Sequence, residues 1–83
     1  MKLNLTVMSK TGMLFNGEVH SITALNKSGA FDVLPDHENF ISIITEDMQI
    51  VGVDGRKQLI PVRLGLMKVT RNQVQVFLDL EAR

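Results

Sequence analysis

Three consecutive residues, Asp36-His37-Glu38, form the densest cluster of side chains with metal-binding chemistry in the sequence. Neighbouring residues in an extended segment point in different directions, so they seldom hold one ion together. A zinc site would need Cys or additional His, and the chain has no Cys and only one other histidine, His20. We therefore expect a solvated loop at this position, with no bound metal and no cofactor.

Motifs for nucleophilic catalysis and phosphate binding are also missing from the sequence. The serines lie outside any Gly-x-Ser-x-Gly elbow. The six glycines are scattered, and none begins a phosphate-binding loop that ends in Gly-Lys-Ser/Thr. We expect no catalytic residue, and an enzyme is the weakest of the functional hypotheses.

The formal net charge is zero, but the two signs are separated along the chain. Residues 28–55 contain acidic residues and no Lys or Arg, whereas residues 56–71 contain basic residues and no acid. Nucleic-acid binding usually needs a basic excess, which this chain lacks. Two interpretations stay open: opposite charges meet across sheet edges, or an acidic face meets a basic partner.

Length and composition favour one small domain over residues 1–83 with an aliphatic core. Apolar residues make up 45% of the chain, which is too many for a disordered segment, and there is no Cys to form disulfides. No signal peptide is visible, and no apolar run approaches the roughly 20 residues of a membrane-spanning helix. We expect a soluble protein whose association with a membrane depends on partners.

Alternation of apolar and polar residues with a period of two predicts short β-strands throughout. The nearly continuous apolar run 40–44 predicts a strand buried on both faces. Asn16-Gly17 predicts a turn or bulge, and Asp54-Gly55 predicts a type I′ hairpin. Pro61 belongs at a sheet edge or a bulge. The other predicted strands cover residues 3–7, 49–53, 60–64 and 74–78, and a Gly-led strand starts at Gly29.

Six segments in order resemble the ε subunit family of F-type ATP synthases. The most specific is Gly29-Ala30-Phe31-Asp32-Val33-Leu34-Pro35-Asp36-His37, which is similar to the family's Gly-x-Phe/Leu-x-Val/Ile-Leu-Pro-x-His signature. The other five resemble strands of the same family: Leu3–Ser9, Leu14–Val19, Phe40–Ile44, Leu64–Val69 and Asn72–Leu78.

The resemblance implies an all-β fold, a flattened β-sandwich or barrel of two antiparallel sheets with about eight to ten short strands. It also implies a non-catalytic central-stalk (rotor) subunit that binds the γ subunit and the c-ring, peripheral to the cytoplasmic face of the inner (plasma) membrane. The residues that the resemblance places at these contacts are Ser9, Asn26, Lys27, Ser28, Gly29, Ala30, Pro35, Asp36, His37, Glu38, Asn39 and Ser42.

Two departures from the family pattern qualify these expectations. The chain stops at Arg83, so a C-terminal helical hairpin and its ATP site are not carried over, and the sequence is expected to be either a short natural form or one domain of a longer subunit. The family's Gly-His-Ala-Pro-Leu is Asp36-His37-Glu38-Asn39-Phe40 here, which makes the loop more acidic. The alternative function is a standalone β-sandwich adaptor or ligand-binding module. A stalk subunit in isolation exposes its docking face, so weak self-association is also expected.

Overall fold

Eight β-strands and no helix make up the described part of the chain, residues 2–36 and 39–78, in the computed structural model. The all-β class predicted from the sequence is confirmed. No helix in these two ranges has the length and hydropathy needed to cross a membrane. The strands are β1 (Leu3–Ser9), β2 (Gly12–Asn26), β3 (Gly29–Val33), β4 (Phe40–Ile44), β5 (Met48–Gly52), β6 (Lys57–Ile60), β7 (Gly65–Thr70) and β8 (Gln73–Phe77).

Strand β1 shows how the sequence pattern becomes a layer of core. Leu3, Leu5 and Val7 are fully buried, while Asn4 is exposed and Thr6 is half-buried. Because successive side chains of a strand point to opposite faces, this alternation places one face of β1 against the core. Strands β7 and β8 repeat the pattern.

Strand β2 is the element that joins the two halves of the fold. Its first part pairs with β1, and the part after Val19 pairs with β5 and β3. The register between β2 and β5 shifts between Val19 and Ser21, so that His20 is the extra residue of a bulge. A bulge bends a strand and increases its twist. Because of this bend, the first part of β2 can pair with β1 while its later part pairs with β5 and β3.

Hydrogen bonds connect all eight strands into one curled sheet in the order β4-β7-β8-β1-β2-β5-β6, with β3 attached to β2. Its pairs are antiparallel except β1–β8, which is parallel. The predicted antiparallel arrangement missed this pair, because β1 and β8 are far apart in sequence and no hairpin fixes their direction. The curl of the sheet brings the end of β4 close to the end of β2, where the Thr45 amide donates to the Leu25 carbonyl at 3.0 Å.

The core lies inside the curl and is aliphatic, as the composition predicted. It receives side chains from every strand and from Val62, which follows β6. Phe15, Phe31, Phe40 and Leu78 pack against its margin. The buried members are Leu3, Leu5, Val7, Val19, Ile22, Ala24, Val33, Ile44, Met48, Ile50, Ile60, Val62, Met67, Val69, Val74 and Val76.

Strand β4 corrects the prediction of a strand buried on both faces. Ile41 and Ile43 are 64% and 46% exposed, whereas Ile44 is fully buried. The reason is that the curled sheet packs only its inner face against the core, so Phe40, Ser42 and Ile44 point inward and Ile41 and Ile43 point outward. A nearly continuous apolar run therefore presents one of its faces to solvent.

The predicted strand 60–64 was also wrong. Strand β6 ends at Ile60, and Pro61 follows directly after this edge strand, in agreement with the expectation for proline. Val62 is buried outside any strand, and its amide donates to Asp47 Oδ1 at 3.0 Å. A side-chain acceptor thus replaces the missing strand partner.

Both turn predictions need correction. Asn16-Gly17 lies inside β2, opposite Thr6 and Leu5 of β1, and forms no turn. Asp54-Gly55 does lie in the β5–β6 hairpin, but only Gly55 of the two has a positive φ, 86°. The Gly55 amide donates to the Gly52 carbonyl at 2.9 Å, and the Gly52 amide donates to the Arg56 carbonyl at 2.8 Å. These bonds define a three-residue loop with a glycine bulge, not a type I′ turn.

Candidate functional site

The turn between β2 and β3 holds the first group of predicted contact residues. The Ser28 amide donates to Asn26 Oδ1 at 2.8 Å, and Gly29 has a φ of 116°, in the region that favours glycine. Lys27, Ser28 and Ala30 are exposed. The turn is therefore a short, locally hydrogen-bonded projection that presents one basic side chain.

Asn26 also attaches this turn to strand β4. Its Nδ2 donates to Ser42 Oγ at 3.1 Å, and both side chains are partly buried. The rings of Phe31 and Phe40 meet edge to face nearby in the fold, with centroids 5.9 Å apart and an interplanar angle of 78°. The structure thus brings together the predicted residues Asn26 and Ser42, from positions 16 apart in the chain.

The loop after β3 holds the second group, and it is fixed to the turn between β7 and β8. The Asp36 amide donates to Asn72 Oδ1 at 2.7 Å, and the Arg71 amide donates to Asn39 Oδ1 at 2.7 Å. Pro35 is half-buried, and Asp36 has a positive φ of 65°. His37 and Glu38, two of the predicted contact residues, lie outside the described residues.

Ser9 does not join either group. It ends β1, where its Oγ lies 3.0 Å from Thr11 Oγ1 and accepts the Thr11 amide at 3.3 Å. The other end of β1 meets the β7–β8 turn, since the Asn4 amide donates to the Asn72 carbonyl at 2.8 Å. Five residues of strand, about 17 Å, therefore separate Ser9 from the contacts of the 35–39 loop.

Charge separation in the sequence leads to little ion pairing across strands. Among the described residues, the pair that links the acidic and basic runs is Arg56–Asp54, with Nε 3.4 Å from Oδ2, within one hairpin loop. A second pair joins Lys2 to Glu18 at 3.6 Å. Exposed pairs of this kind contribute about 0–1 kcal/mol.

The described residues contain no group of three or more His, Cys, Asp or Glu side chains positioned to hold a metal ion. An open cleft of about 510 Å³ lies beside the end of β4, lined by Leu25, Thr45, Glu46, Asp47, Val62 and Arg63. One oxygen of Asp47 is already used by the Val62 amide.

An apolar row crosses the outer face of the sheet, opposite to the core, and the sequence did not predict it. Cross-strand pairing aligns one residue from each of five adjacent strands: Met13 with Met8, Met8 with Phe77, Phe77 with Leu66, and Leu66 with Ile43. We call these five residues the apolar row. Met13 is 59% exposed, and the three central members are half-buried.

The methionines of strands β1, β2, β5 and β7 divide into two classes. Met48 and Met67 are fully buried and fill the core. Met8 and Met13 face outward and lie opposite each other across β1 and β2. His20 is exposed, and Phe15 packs against the core.

Asn72 is the residue that sequence analysis missed at the second group, and its removal tests how firmly the loop is held. We expect Asn72→Ala to lower the free energy of unfolding by about 1 kcal/mol, because the Asp36 amide loses its acceptor. Asn16→Ala is the matched control, since exposed Asn16 accepts only a 3.4 Å bond at its Oδ1, from the Thr6 hydroxyl. Urea denaturation of both variants measures the difference, and equal losses would contradict the loop-anchoring role.

Comparison with protein families gives a match over residues 2–80 to the model described as ATP synthase, Delta/Epsilon chain, beta-sandwich domain. Among curated proteins, the chain is similar to the ATP synthase epsilon chain of a Nitratiruptor species, 31% identical over 78 residues that cover 93% of this chain and 60% of the relative. The epsilon chain of Wolinella succinogenes is also 31% identical, with the same coverage. The chain spans about three fifths of the length of these relatives.

Solved structures share the fold. A chain in the cryo-EM structure of the Euglena gracilis mitochondrial ATP synthase (OSCP/F1/c-ring) superposes with a TM-score of 0.86 at 20% identity, covering 93% of this chain and 50% of that one. A chain in the central stalk/c-ring structure of the Tetrahymena thermophila mitochondrial ATP synthase gives 0.77 at 13% identity, covering 94% and 63%. At these identities the likeness shows a common architecture.

Proposed function

The chain belongs to the ATP synthase delta/epsilon family, as its β-sandwich domain, and from this premise we propose that it acts as a non-catalytic rotor subunit of the central stalk. In this role it binds the γ subunit and the c-ring and transmits rotation between them. It would be peripheral to the membrane, on its cytoplasmic face, as part of the complex.

The observation that carries the proposal is the anchoring of both predicted contact segments to distant parts of the sheet. The 35–39 loop is bonded through Asp36 and Asn39 to the β7–β8 turn, and the 26–30 turn is bonded through Asn26 to β4. A subunit that transmits torque needs contact segments that do not deform under load. Hydrogen bonds to a strand of the sheet and to the tight turn between two of its strands supply this stiffness.

Each contact segment suits a different partner. The acidic Asp36, exposed at the loop after β3, suits a basic surface on γ. Lys27, exposed on the β2–β3 turn, suits polar or acidic loops of the c-ring. Ser42 lies beside the β2–β3 turn because its hydroxyl bonds to Asn26. In this proposal Ser42 faces γ and the turn faces the c-ring, so the bond connects the two contact regions.

Calorimetric titration of the folded chain into purified γ subunit tests the proposal. We expect saturable one-to-one binding that weakens about tenfold when Asp36→Lys reverses the charge of the loop. His37→Ala, in the same loop, is expected to weaken binding as well. Asp54→Lys is the matched control, because it makes the same charge change in the exposed β5–β6 hairpin, away from the loop.

Binding that is unchanged in Asp36→Lys and His37→Ala would remove the 35–39 loop from the interface. If urea denaturation shows that the chain is folded and it still does not bind γ, the rotor assignment itself is contradicted. Loss of affinity in Asp54→Lys as large as that in Asp36→Lys would assign the effect to net charge instead of to the loop.

A further inference from the structure

Asn16-Gly17 is the single Asn-Gly sequence of the chain, and it lies inside strand β2 instead of in a turn. Asparagine is a thermolabile residue, and it reacts most readily with the backbone when glycine follows, because glycine has no Cβ to obstruct the attack. The residue after each of the four other asparagines carries a Cβ. Position 16 is therefore the place in this chain where loss of a side-chain amide is chemically favoured.

The reaction at this position is a ring closure followed by hydrolysis. The Gly17 backbone nitrogen attacks Asn16 Cγ, a nitrogen–carbon bond forms, and the bond from Cγ to the side-chain nitrogen breaks. The side-chain nitrogen leaves as ammonia and takes the proton of the Gly17 amide. Water then opens the succinimide ring at either of its carbonyl carbons, which yields aspartate or isoaspartate. Ring closure requires a free Gly17 amide and a backbone that can turn it toward Asn16 Cγ.

The ladder between β1 and β2 withholds the Gly17 amide. The Asn4 amide of β1 donates to the Asn72 carbonyl, on the β8 side of the strand. Backbone groups of successive residues point to opposite edges of a strand, so those of Leu5 point toward β2, where Gly17 lies opposite. Leu5 and Gly17 thus form a hydrogen-bonded pair of the ladder, and the attacking nitrogen is engaged while the ladder is closed.

The extended backbone of β2 adds a second restraint. In antiparallel strands ψ is about +135°, which turns the nitrogen of the next residue away from the side chain. Asn16 lies opposite Thr6, and its Oδ1 accepts the Thr6 hydroxyl at 3.4 Å. Because Asn16 is exposed, water already reaches it. What the closed ladder denies to the reaction is therefore the geometry of ring closure.

The two products differ in what they do to β2. Aspartate leaves the main chain unchanged, whereas isoaspartate routes it through the side chain and lengthens it by one methylene group. Strand β2 pairs with β1 up to Val19 and with β5 and β3 beyond it. An insertion at position 16 shifts the register of one part against the other, and a buried face tolerates no such shift. The isoaspartyl chain therefore cannot rebuild the native sheet.

We propose that Asn16 is a site of spontaneous deamidation that reacts when the β1–β2 ladder opens, and that its isoaspartyl product prevents the ladder from closing again. Opening and closing are fast compared with the chemistry, so the rate follows the equilibrium population of the open form. The modification removes opened chains irreversibly from the folded population. This inference is independent of the proposed rotor function.

Peptide mapping by mass spectrometry tests the site and its gating. The full chain is incubated under native conditions and in guanidinium chloride, and deamidation is measured at each asparagine. We expect Asn16 to react fastest in the unfolded chain and about a hundredfold or more slowly in the native chain. Equal rates at Asn16 in the two states, or a faster reaction at another asparagine in the unfolded chain, would overturn the proposal.

Two substitutions separate the gate from the chemistry. Leu5→Ala should speed native deamidation about tenfold or more, because its loss of stability populates the open ladder. Gly17→Ala should slow deamidation of the unfolded chain about tenfold or more, because the methyl group hinders the attack. Leu59→Ala is the control for Leu5→Ala, since Leu59 is exposed on edge strand β6.

Equal native rates in Leu5→Ala and Leu59→Ala would contradict gating by the ladder. The unmodified chain gives the same test without a substitution, since its rate at Asn16 should rise across the guanidinium transition together with the unfolded fraction. A rate that does not rise there would also overturn the proposal.

Refolding of the separated products tests the second half of the proposal. The isoaspartyl chain, isolated by reversed-phase chromatography, should fail to regain the native NMR signals of β1 and β2. Asn16→Asp reproduces the other product and should fold as the unmodified chain does, because the Thr6 hydroxyl can donate to a carboxylate in the same place. An isoaspartyl chain with the native spectrum and the native denaturation curve would contradict the irreversible step.

Discussion

Replacing Leu5 with alanine will lower the free energy of unfolding by about 2–5 kcal/mol, because the change leaves a cavity in the core. Leu5 is 0% exposed and lies between Gly17 of β2 and Val74 of β8. The glycine opposite it supplies no side chain that could move into the space. The cavity therefore stays open, and the full transfer and cavity terms apply.

The size of this loss matters because the whole domain has little stability to lose. At about 0.05–0.15 kcal/mol per residue, a chain of this length is stable by roughly 4–12 kcal/mol. Urea denaturation of Leu5→Ala measures the change, with Leu59→Ala as the matched control on exposed β6. The control should stay within about 0.5 kcal/mol of the unmodified chain. Equal losses would show that burial in the curl does not determine stability.

Replacing Gly65 with alanine will lower the free energy of unfolding by about 1–3 kcal/mol, and valine will cost more. A Cβ at this position would lie 3.2 Å from the Phe77 carbonyl oxygen and 3.3 Å from atoms of Leu78 and Val62. The Phe77 oxygen belongs to the backbone of β8, the neighbouring strand, so it cannot rotate away. Relief would require the two strands to move apart.

Gly17→Ala is the control for Gly65→Ala, because it makes the same change in a strand with room for the new methyl group. Its Cβ would meet the edge of the Phe15 ring at 3.7 Å, an ordinary contact. Alanine also has less backbone conformational entropy than glycine in the unfolded chain, so less is lost on folding. This variant should therefore be unchanged or up to about 1 kcal/mol more stable. Thermal and urea denaturation compare the two. A loss at Gly17 as large as that at Gly65 would contradict the close-approach explanation.

Local pattern was enough to predict several strands, and its failures have physical causes. The alternation at Leu3, Leu5 and Val7 predicted β1 because one face of that strand is buried and the other is not. The run 40–44 carries no alternation, so the sequence did not reveal that Ile41 and Ile43 face outward at a sheet edge. Asn16-Gly17 has the composition of a turn, but pairing with β1 holds it extended.

The contact surfaces were predictable only in part. Similarity to the family identified the 26–30 turn and the 35–39 loop as contact segments, and their role stays a prediction. The anchor at Asn72 was not predictable, because it depends on a bond between positions 36 apart. The apolar row requires the register of five strands, including the parallel β1–β8 pair and the bulge at Leu14 of β2, opposite the step from Val7 to Met8. The pairing register between strands that are distant in sequence cannot be predicted from the local alternation of apolar and polar residues.

The parallel pairing of β1 with β8 also determines how the fold would respond to a pull. The two strands lie side by side from Asn4 opposite Gln73 to Met8 opposite Phe77, and the backbone bonds Asn4–Asn72 and Leu78–Met8, each 2.8 Å, close the ladder at its ends. Tension applied before β1 and after β8 acts along the strands in opposite directions. All rungs of the ladder are then loaded in shear at once, instead of being unzipped one after another, so the domain resists extension along this axis as a mechanical clamp.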